Sequence, residues 1–235
     1  MREDWLKYVA AITKVFVVAV LLGESFAAAD HLLAKAGLAS GNFAFIAGPA
    51  LVHLLIVIAA LILVGQPKLN LPKKNAVRWL MLAGPAWLAL AASGAGLTST
   101  FFPGPDSIPG VTPNIPWWIA SILLAPVLEE LVYRGLLSPV FRRSCGNLMG
   151  SYFAAILFAW VHSRPTLAGI FAGHAGGIPP GPFLLALAAD WFCLKSGSIW
   201  VAVAFHAACN ITPALFNAID PRWLSWLGML YQWGT

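Results

Sequence analysis

Residues 116–140 read PWWIASILLAPVLEELVYRGLLSPV, an apolar stretch that carries Glu129, Glu130 and Arg134. A helix needs about 17–25 mainly apolar residues to cross a bilayer. Ionisable side chains at bilayer depth cost about 2.5–3.5 kcal/mol each, so they are rare and favour functional hypotheses. This stretch therefore predicts a membrane helix with a polar site inside it.

The composition of the whole chain also points to a membrane protein. Of its 235 residues, 60% are apolar and 10% are charged, and the mean hydropathy is +0.79. A soluble domain carries roughly a quarter charged residues, so this chain cannot cover a water-facing surface and its solvent must be lipid. The net charge of +5 is explained by basic cytoplasmic loops, and no nucleic-acid partner is expected.

Further apolar stretches flank the first one on both sides, separated by glycine and proline residues. We therefore predict an all-α fold, with residues 1–235 forming a single integral membrane domain. The longest break, residues 98–116, is predicted as an outer loop. The domain is a polytopic bundle of about eight transmembrane helices near residues 8–29, 43–64, 78–97, 116–140, 148–165, 181–195, 198–218 and 222–233.

The basic residues of the loops predict the orientation. With a cytoplasmic N-terminus, nine Lys and Arg residues fall on the inner side and three on the outer side, as the positive-inside rule requires of short loops. Eight spans return the C-terminus to the cytoplasm. The inner residues are Arg2, Lys7, Lys68, Lys73, Lys74, Arg78, Arg142, Arg143 and Lys195, and the outer ones are Lys35, Arg164 and Arg222.

The two adjacent glutamates have different predicted roles. Glu130 and Arg134 are four residues apart, so they share one helix face and are predicted to form an ion pair. Glu129 lies about 100° around the helix and has no evident cationic partner. A buried carboxyl without such a partner suits a general base or acid, which makes Glu129 a candidate catalytic residue.

Two later spans carry polar residues at helical spacing. His162 follows Phe158 by four residues, and His206 and Asn210 share one face of the seventh span. A lone histidine in an apolar helix is more often a core residue than a functional one. The depth of each polar residue in the bilayer is therefore used to test whether these residues can form one site. At about 1.5 Å per residue from the cytoplasmic helix ends, Glu129 and these three polar residues lie roughly 12–22 Å deep. Their shared depth predicts one site.

The other polar residues receive structural interpretations. Asp190 in the sixth span is predicted to hydrogen-bond the helices of the site. Glu24 and Asp30 are predicted to pair or to reach toward the lipid headgroups. His31 and His53 belong to no motif.

Three motifs occur in order on three predicted spans, namely EExxxR at 129–134, FxxxH at 158–162 and HxxxN at 206–210. They resemble the motifs of the CAAX-protease and bacteriocin-processing (CPBP, ABI) family of intramembrane glutamic endopeptidases, relatives of the Ras-converting CAAX protease. The resemblance covers about residues 120–212, which we interpret as the catalytic core.

The resemblance implies a role for each matching residue. Glu129 and His162 would activate a water molecule for attack on a peptide carbonyl. His206 and Asn210 would form the oxyanion hole, where each donor is typically worth about 3–4 kcal/mol. The supporting residues that it implies are Glu130, Arg134 and Phe158.

No cofactor is expected for this mechanism. Zinc is the alternative, because two histidines and one glutamate can ligate a metal with an open fourth position. However, an HExxH motif is absent from the sequence, and the ligands would have to come from three helices.

The resemblance also implies the partners, which are the lipid bilayer and a membrane-anchored protein or peptide. A lipidated tail, a peptide precursor or a C-terminal sorting tail would fit, and the expected location is a prokaryotic inner membrane. Two other functions remain open at this point. One is a non-catalytic immunity or scaffold protein, and the other is a proton-coupled transporter, which the lack of a detectable internal repeat disfavours.

Overall fold

The structure is a computed structural model that describes residues 2–38, 44–64, 74–101, 119–174 and 176–219. All regular secondary structure in these residues is helical, and they contain no strand. The all-α prediction is therefore confirmed for this part of the chain. The predicted eighth span, 222–233, and the predicted outer loop from residue 102 onward lie outside the described residues.

Three long helices precede the region of the motifs. Two of them exceed the predicted spans, because helical hydrogen bonding continues into polar residues beyond the apolar stretch. By length and composition, the segment Trp5–Lys35 can cross a membrane, and it is the one such helix in the described ranges. The number of membrane crossings therefore stays a prediction. The helices are α1 (Arg2–Lys35), α2 (Ala44–Val64) and α3 (Lys74–Phe101).

The fourth predicted span belongs to a helical run that changes its hydrogen-bond pattern twice. A π-helical segment, Ile119–Leu124, precedes α4 (Ala125–Glu130), and a second one, Leu131–Leu137, follows it. The Ser138 N–H donates to the Tyr133 carbonyl five residues earlier, which is the wider π pattern, and such turns are frequent at functional sites. The two glutamates thus lie at the end of α4, where the turns widen.

Helix α5 (Ser138–His162) continues this run, and the non-helical backbone of Gly146 divides it into two helical parts that meet at an angle there. Gly146 has φ 79° and ψ 170°, a conformation open mainly to glycine because it lacks a Cβ. The fourth span was predicted to end at residue 140. The helix continues past that point because the arginines that follow, Arg142 and Arg143, are good helix formers although they are not apolar.

The last described helices are α6 (Leu167–Phe171), α7 (Pro180–Ser196) and α8 (Ile199–Ile219). Helices α7 and α8 lie where the sixth and seventh spans were predicted. Helix α6 was not predicted, because a helix this short leaves no periodic pattern in the sequence.

The helices pack around α4. Helix α1 contacts α2 and α5, α5 contacts α7, α7 contacts α8, and α8 contacts α3. Helix α4 itself lies against α2 and α8, so both N-terminal and C-terminal parts of the chain surround the glutamates.

Both the interior and the outer surface of this bundle are apolar. Large exposed apolar side chains on α1 to α3 include Leu21, Leu55, Ile62, Met81 and Leu90. Large exposed apolar patches mark contact with a membrane or a partner, so the outward face of these helices suits a lipid environment.

The connection that follows α5 is anchored to α1. The guanidinium of Arg164 pairs with the carboxylate of Asp30, and the Leu167 N–H donates to Glu24 Oε1 at 2.7 Å. A Cβ on Gly23 would overlap the Pro165 carbonyl, so the backbones meet where only glycine fits. These contacts fix the end of α5 that carries His162. They also confirm that Asp30 forms a pair.

A second buried cluster centres on Asp190 of α7. Its carboxylate accepts from Ser138 at 2.6 Å, from Ser151 and from Arg142 at 3.2 Å. Ser138 and Ser151 lie on the two sides of the bend at Gly146, and Asp190 is 1% exposed. Asp190 therefore holds both halves of α5 against α7, which agrees with its predicted structural role.

We expect Asp190→Ala to destabilise the protein by about 3–5 kcal/mol, because it leaves the charge of Arg142 without its buried partner. Unfolding in detergent by a denaturant titration measures this change. The matched control is Ser144→Ala, which removes an exposed hydrogen bond within one helix and should change the free energy of unfolding by less than about 0.5 kcal/mol. Equal stability of the two variants would contradict the role given to Asp190.

Candidate active site

The site is built around a fully buried ion pair. Glu130 is 0% exposed, and its Oε1 lies 3.0 Å from the Arg134 guanidinium, which confirms the pair that the spacing predicted. The second guanidinium nitrogen donates to the Ala186 carbonyl of α7 at 2.9 Å. The Arg134 guanidinium also lies 4.9 Å from the centre of the Phe158 ring, a cation–π distance. One buried charge therefore joins α4, α5 and α7.

His206 is a second partner of Glu130, which the sequence did not indicate. Its Nδ1 lies 2.8 Å from Glu130 Oε1. Glu130 is also bound by Arg134, so it is a carboxylate that accepts hydrogen bonds. His206 Nδ1 must then be the donor, which leaves its Nε2 free to face the other glutamate.

Glu129 faces two histidines from two other helices. Its Oε2 lies 4.0 Å from His162 Nε2 and 3.9 Å from His206 Nε2. These separations are too long for direct hydrogen bonds, and Oε2 is buried with no hydrogen-bond partner among the described atoms. Three residues predicted for the site are thus brought together around one unsatisfied carboxylate oxygen.

The orientation of His162 is set by its own helix. Its Nδ1 lies 2.7 Å from the Phe158 carbonyl one turn earlier. A carbonyl only accepts, so Nδ1 carries the hydrogen and the Nε2 that faces Glu129 is an acceptor in the neutral ring. The FxxxH spacing therefore lets Phe158 contact His162 in two ways. Its carbonyl fixes the tautomer of the imidazole, and its ring packs against the imidazole with the ring centres 4.5 Å apart.

Asn210 lies one turn beyond His206 on α8, as its spacing predicted. Its amide nitrogen donates to the Ser121 carbonyl at 2.7 Å, in the π-helical segment before α4. An amide nitrogen has two hydrogens, so the second one is not used by this contact. One N–H of Asn210 therefore binds the helical run that carries the glutamates, and its role in an oxyanion hole stays a prediction.

Two residues near the site were missed in the sequence. Tyr133 is buried beside Phe158 with ring centres 4.9 Å apart. His53 of α2 is buried with its ring centre 5.8 Å from that of Tyr133. No motif marks His53, and the signal that was available is its ionisable side chain within an apolar span.

The described side chains do not form a metal centre. No group of three or more His, Cys, Asp and Glu residues within the described ranges is placed to bind one ion. Two ligands on a tetrahedral zinc are about 3.3 Å apart, whereas Glu129 Oε2 is farther than that from both histidine nitrogens.

Comparison with known proteins identifies the part of the chain that carries these residues. Residues 111–212 match the family described as type II CAAX prenyl endopeptidase Rce1-like. No curated protein and no solved structure matched the chain. The matched range holds the two glutamates, both site histidines and Asn210, and it does not include α1, α2 or α3. Residues 111–212 are therefore a domain of the Rce1-like family, a family of membrane-embedded proteases.

Proposed function

We propose that this protein is an intramembrane endopeptidase in which Glu129 and His162 activate a water molecule. The observation that carries the proposal is the position of Glu129 Oε2, 4.0 Å from His162 Nε2 and without a hydrogen-bond partner in the described structure. Its occurrence within a domain of a protease family supports the same chemistry.

A water molecule fits between these two acceptors. Acceptors 4.0 Å apart, each about 2.8 Å from the water oxygen, subtend an angle of about 90° there, near the angle between the two O–H bonds. The water would donate one hydrogen to Glu129 and one to His162. Its oxygen lone pairs are then free to attack a carbonyl carbon.

The reaction then follows from this arrangement. The water oxygen bonds to the peptide carbonyl carbon, and one water proton passes to the Glu129 carboxylate. Collapse of the tetrahedral intermediate breaks the C–N bond, and Glu129 returns the proton to the leaving amine. General acid–base catalysis of this kind contributes typically 10²–10⁴-fold to a rate.

His206 and Asn210 would stabilise the oxyanion. His206 donates from Nδ1 to Glu130, so donation from Nε2 as well requires the imidazolium form. The second N–H of Asn210 supplies the other donor.

The proposal includes the location and the substrate class. The chain forms a bundle of about eight transmembrane helices with both termini in the cytoplasm of a prokaryotic cell. The substrate is a membrane-associated protein or peptide cut near its C-terminal tail. The apolar outer surface of α1 to α3 and the spanning length of Trp5–Lys35 support a membrane setting.

We expect Glu129→Gln to lower kcat by about 10²–10⁴-fold, because an amide cannot take the proton from the water. The assay follows cleavage of a panel of membrane-anchored tail peptides by mass spectrometry with purified protein in vesicles. Ser144→Ala, which removes an exposed hydrogen bond within one helix, is the control and should cleave like the wild type. A Glu129→Gln variant with full activity, or proton-coupled solute uptake without any cleavage, would contradict the proposal.

We expect Asn210→Ala to lower kcat by about 10²–10³-fold with KM within about twofold, because an oxyanion donor acts only in the transition state. The control is Trp87→Phe, which removes another hydrogen bond of α8, the 2.8 Å contact with Thr212, away from the glutamates. If both variants lose activity to the same extent, Asn210 serves only to hold the helices.

Removal of divalent metals should leave cleavage unchanged, because the proposed water is activated by Glu129 and His162 alone. Activity is measured after dialysis against a chelator and again after zinc is added. Activity that is lost on dialysis and restored only by zinc would show that the metal alternative is correct.

A further inference from the structure

His53 of α2 reaches the site from outside the Rce1-like domain. It is 3% exposed, and its ring lies 5.3 Å from that of Phe26 on α1 and 5.8 Å from that of Tyr133. Helix α2 packs directly against α4. A histidine at this position is therefore enclosed by the helix that carries Glu129 and by the two N-terminal helices.

One nitrogen of His53 is satisfied and the other is not. The ring hydrogen-bonds the backbone of Pro49 one turn earlier, and proline has no N–H, so the ring nitrogen donates to its carbonyl. The remaining Nε2 is buried with no hydrogen-bond partner among the described residues. Buried polar atoms without a partner are rare in folded proteins and call for an explanation such as an internal water.

Two further buried polar atoms of the same region are unsatisfied. Tyr133 Oη and Glu129 Oε2 are also buried without a hydrogen-bond partner in the described part of the chain. Tyr133 follows Glu129 by four residues in the same helical run, and its ring centre lies 5.8 Å from that of His53. Of the three atoms, the imidazole Nε2 and the carboxylate oxygen are acceptors, and the phenol is a donor.

This set matches one water molecule. A buried water typically makes about three hydrogen bonds to polar groups that would otherwise be unsatisfied. It has two hydrogens for the two acceptors and a lone pair for the Tyr133 hydroxyl. His162, with 35% of its side chain exposed, is open to solvent, whereas His53 is 3% exposed.

We propose that His53 is a positioning residue of this site, which together with Tyr133 holds an internal water against the Glu129 carboxylate. This water is distinct from the one that attacks the substrate, and it fixes the rotamer of Glu129 so that Oε2 stays between His162 and His206. The inference rests on the proposed function, since it concerns the same glutamate. It also means that α2 completes an active site that the Rce1-like domain does not contain by itself.

The first test needs no substrate. Protein labelled with ¹⁵N at its histidines is studied by NMR in nanodiscs, and the His53 signals are assigned with His53→Phe. We expect Glu129→Gln and Tyr133→Phe to shift the His53 Nε2 resonance, and Ser144→Ala to leave it unchanged. A His53 resonance that is the same in all of these variants would overturn the proposal.

The second test uses cleavage kinetics. We expect His53→Phe to lower kcat about tenfold to a hundredfold with KM within about twofold, since it removes one hydrogen bond to a water that touches a charged group. His53→Gln restores an acceptor at the same distance from the backbone and should recover most of the loss. The control is His31→Phe, an exposed histidine of α1, which should behave like the wild type.

The outcomes separate this inference from the proposed function. Full activity of His53→Phe beside an inactive Glu129→Gln would overturn the role of His53 and leave the protease mechanism standing. Full activity of both variants would overturn the mechanism itself. Equal losses in His53→Phe and His53→Gln, together with lower melting temperatures, would show that His53 only packs against Phe26 and Tyr133, which also overturns the proposal.

Discussion

The carboxylate of Glu130 is the constraint on which the rest of the site depends. A charge with no exposure to solvent is stable only when it is paired and hydrogen-bonded. Arg134 supplies the opposite charge, His206 supplies a second donor, and the Ala186 carbonyl takes the spare guanidinium nitrogen. The contacts of Glu130 Oε1 and of its partner Arg134 therefore fix α4, α7 and α8 relative to one another.

The same pairing gives the two adjacent glutamates, Glu129 and Glu130, different surroundings. Glu130 has partners for its charge, and the residue beside it points about 100° away, where it meets the Nε2 atoms of His162 and His206 at a distance that suits water. His206 hydrogen-bonds Glu130 through Nδ1, and its Nε2 faces Glu129 Oε2 at 3.9 Å. The structural carboxylate therefore sets the orientation of an imidazole that faces the proposed catalytic one.

The sequence could predict contacts between residues of one helix and the depth of each residue along its helix. The Glu130–Arg134 pair depends on a spacing of four, and helix rise alone placed Glu129, His162 and His206 at a similar depth. Depth does not give rotation about the helix axis, so the contact from His206 to Glu130, 76 residues apart, was not predictable. The contact between Asn210 and Ser121 was missed for the same reason, and the π-helical turns on either side of α4 leave no pattern in the composition.

The order of the partners along the chain has a consequence for synthesis. The ribosome makes Glu130 and Arg134 together, but it adds Ala186 and His206 only after α5 and the connection beyond it. Until α8 has been made, Glu130 has one partner in place of two, and Glu129 does not face the imidazole of His206. Under the proposed mechanism, a nascent chain is therefore inert as a hydrolase until the last described helix docks.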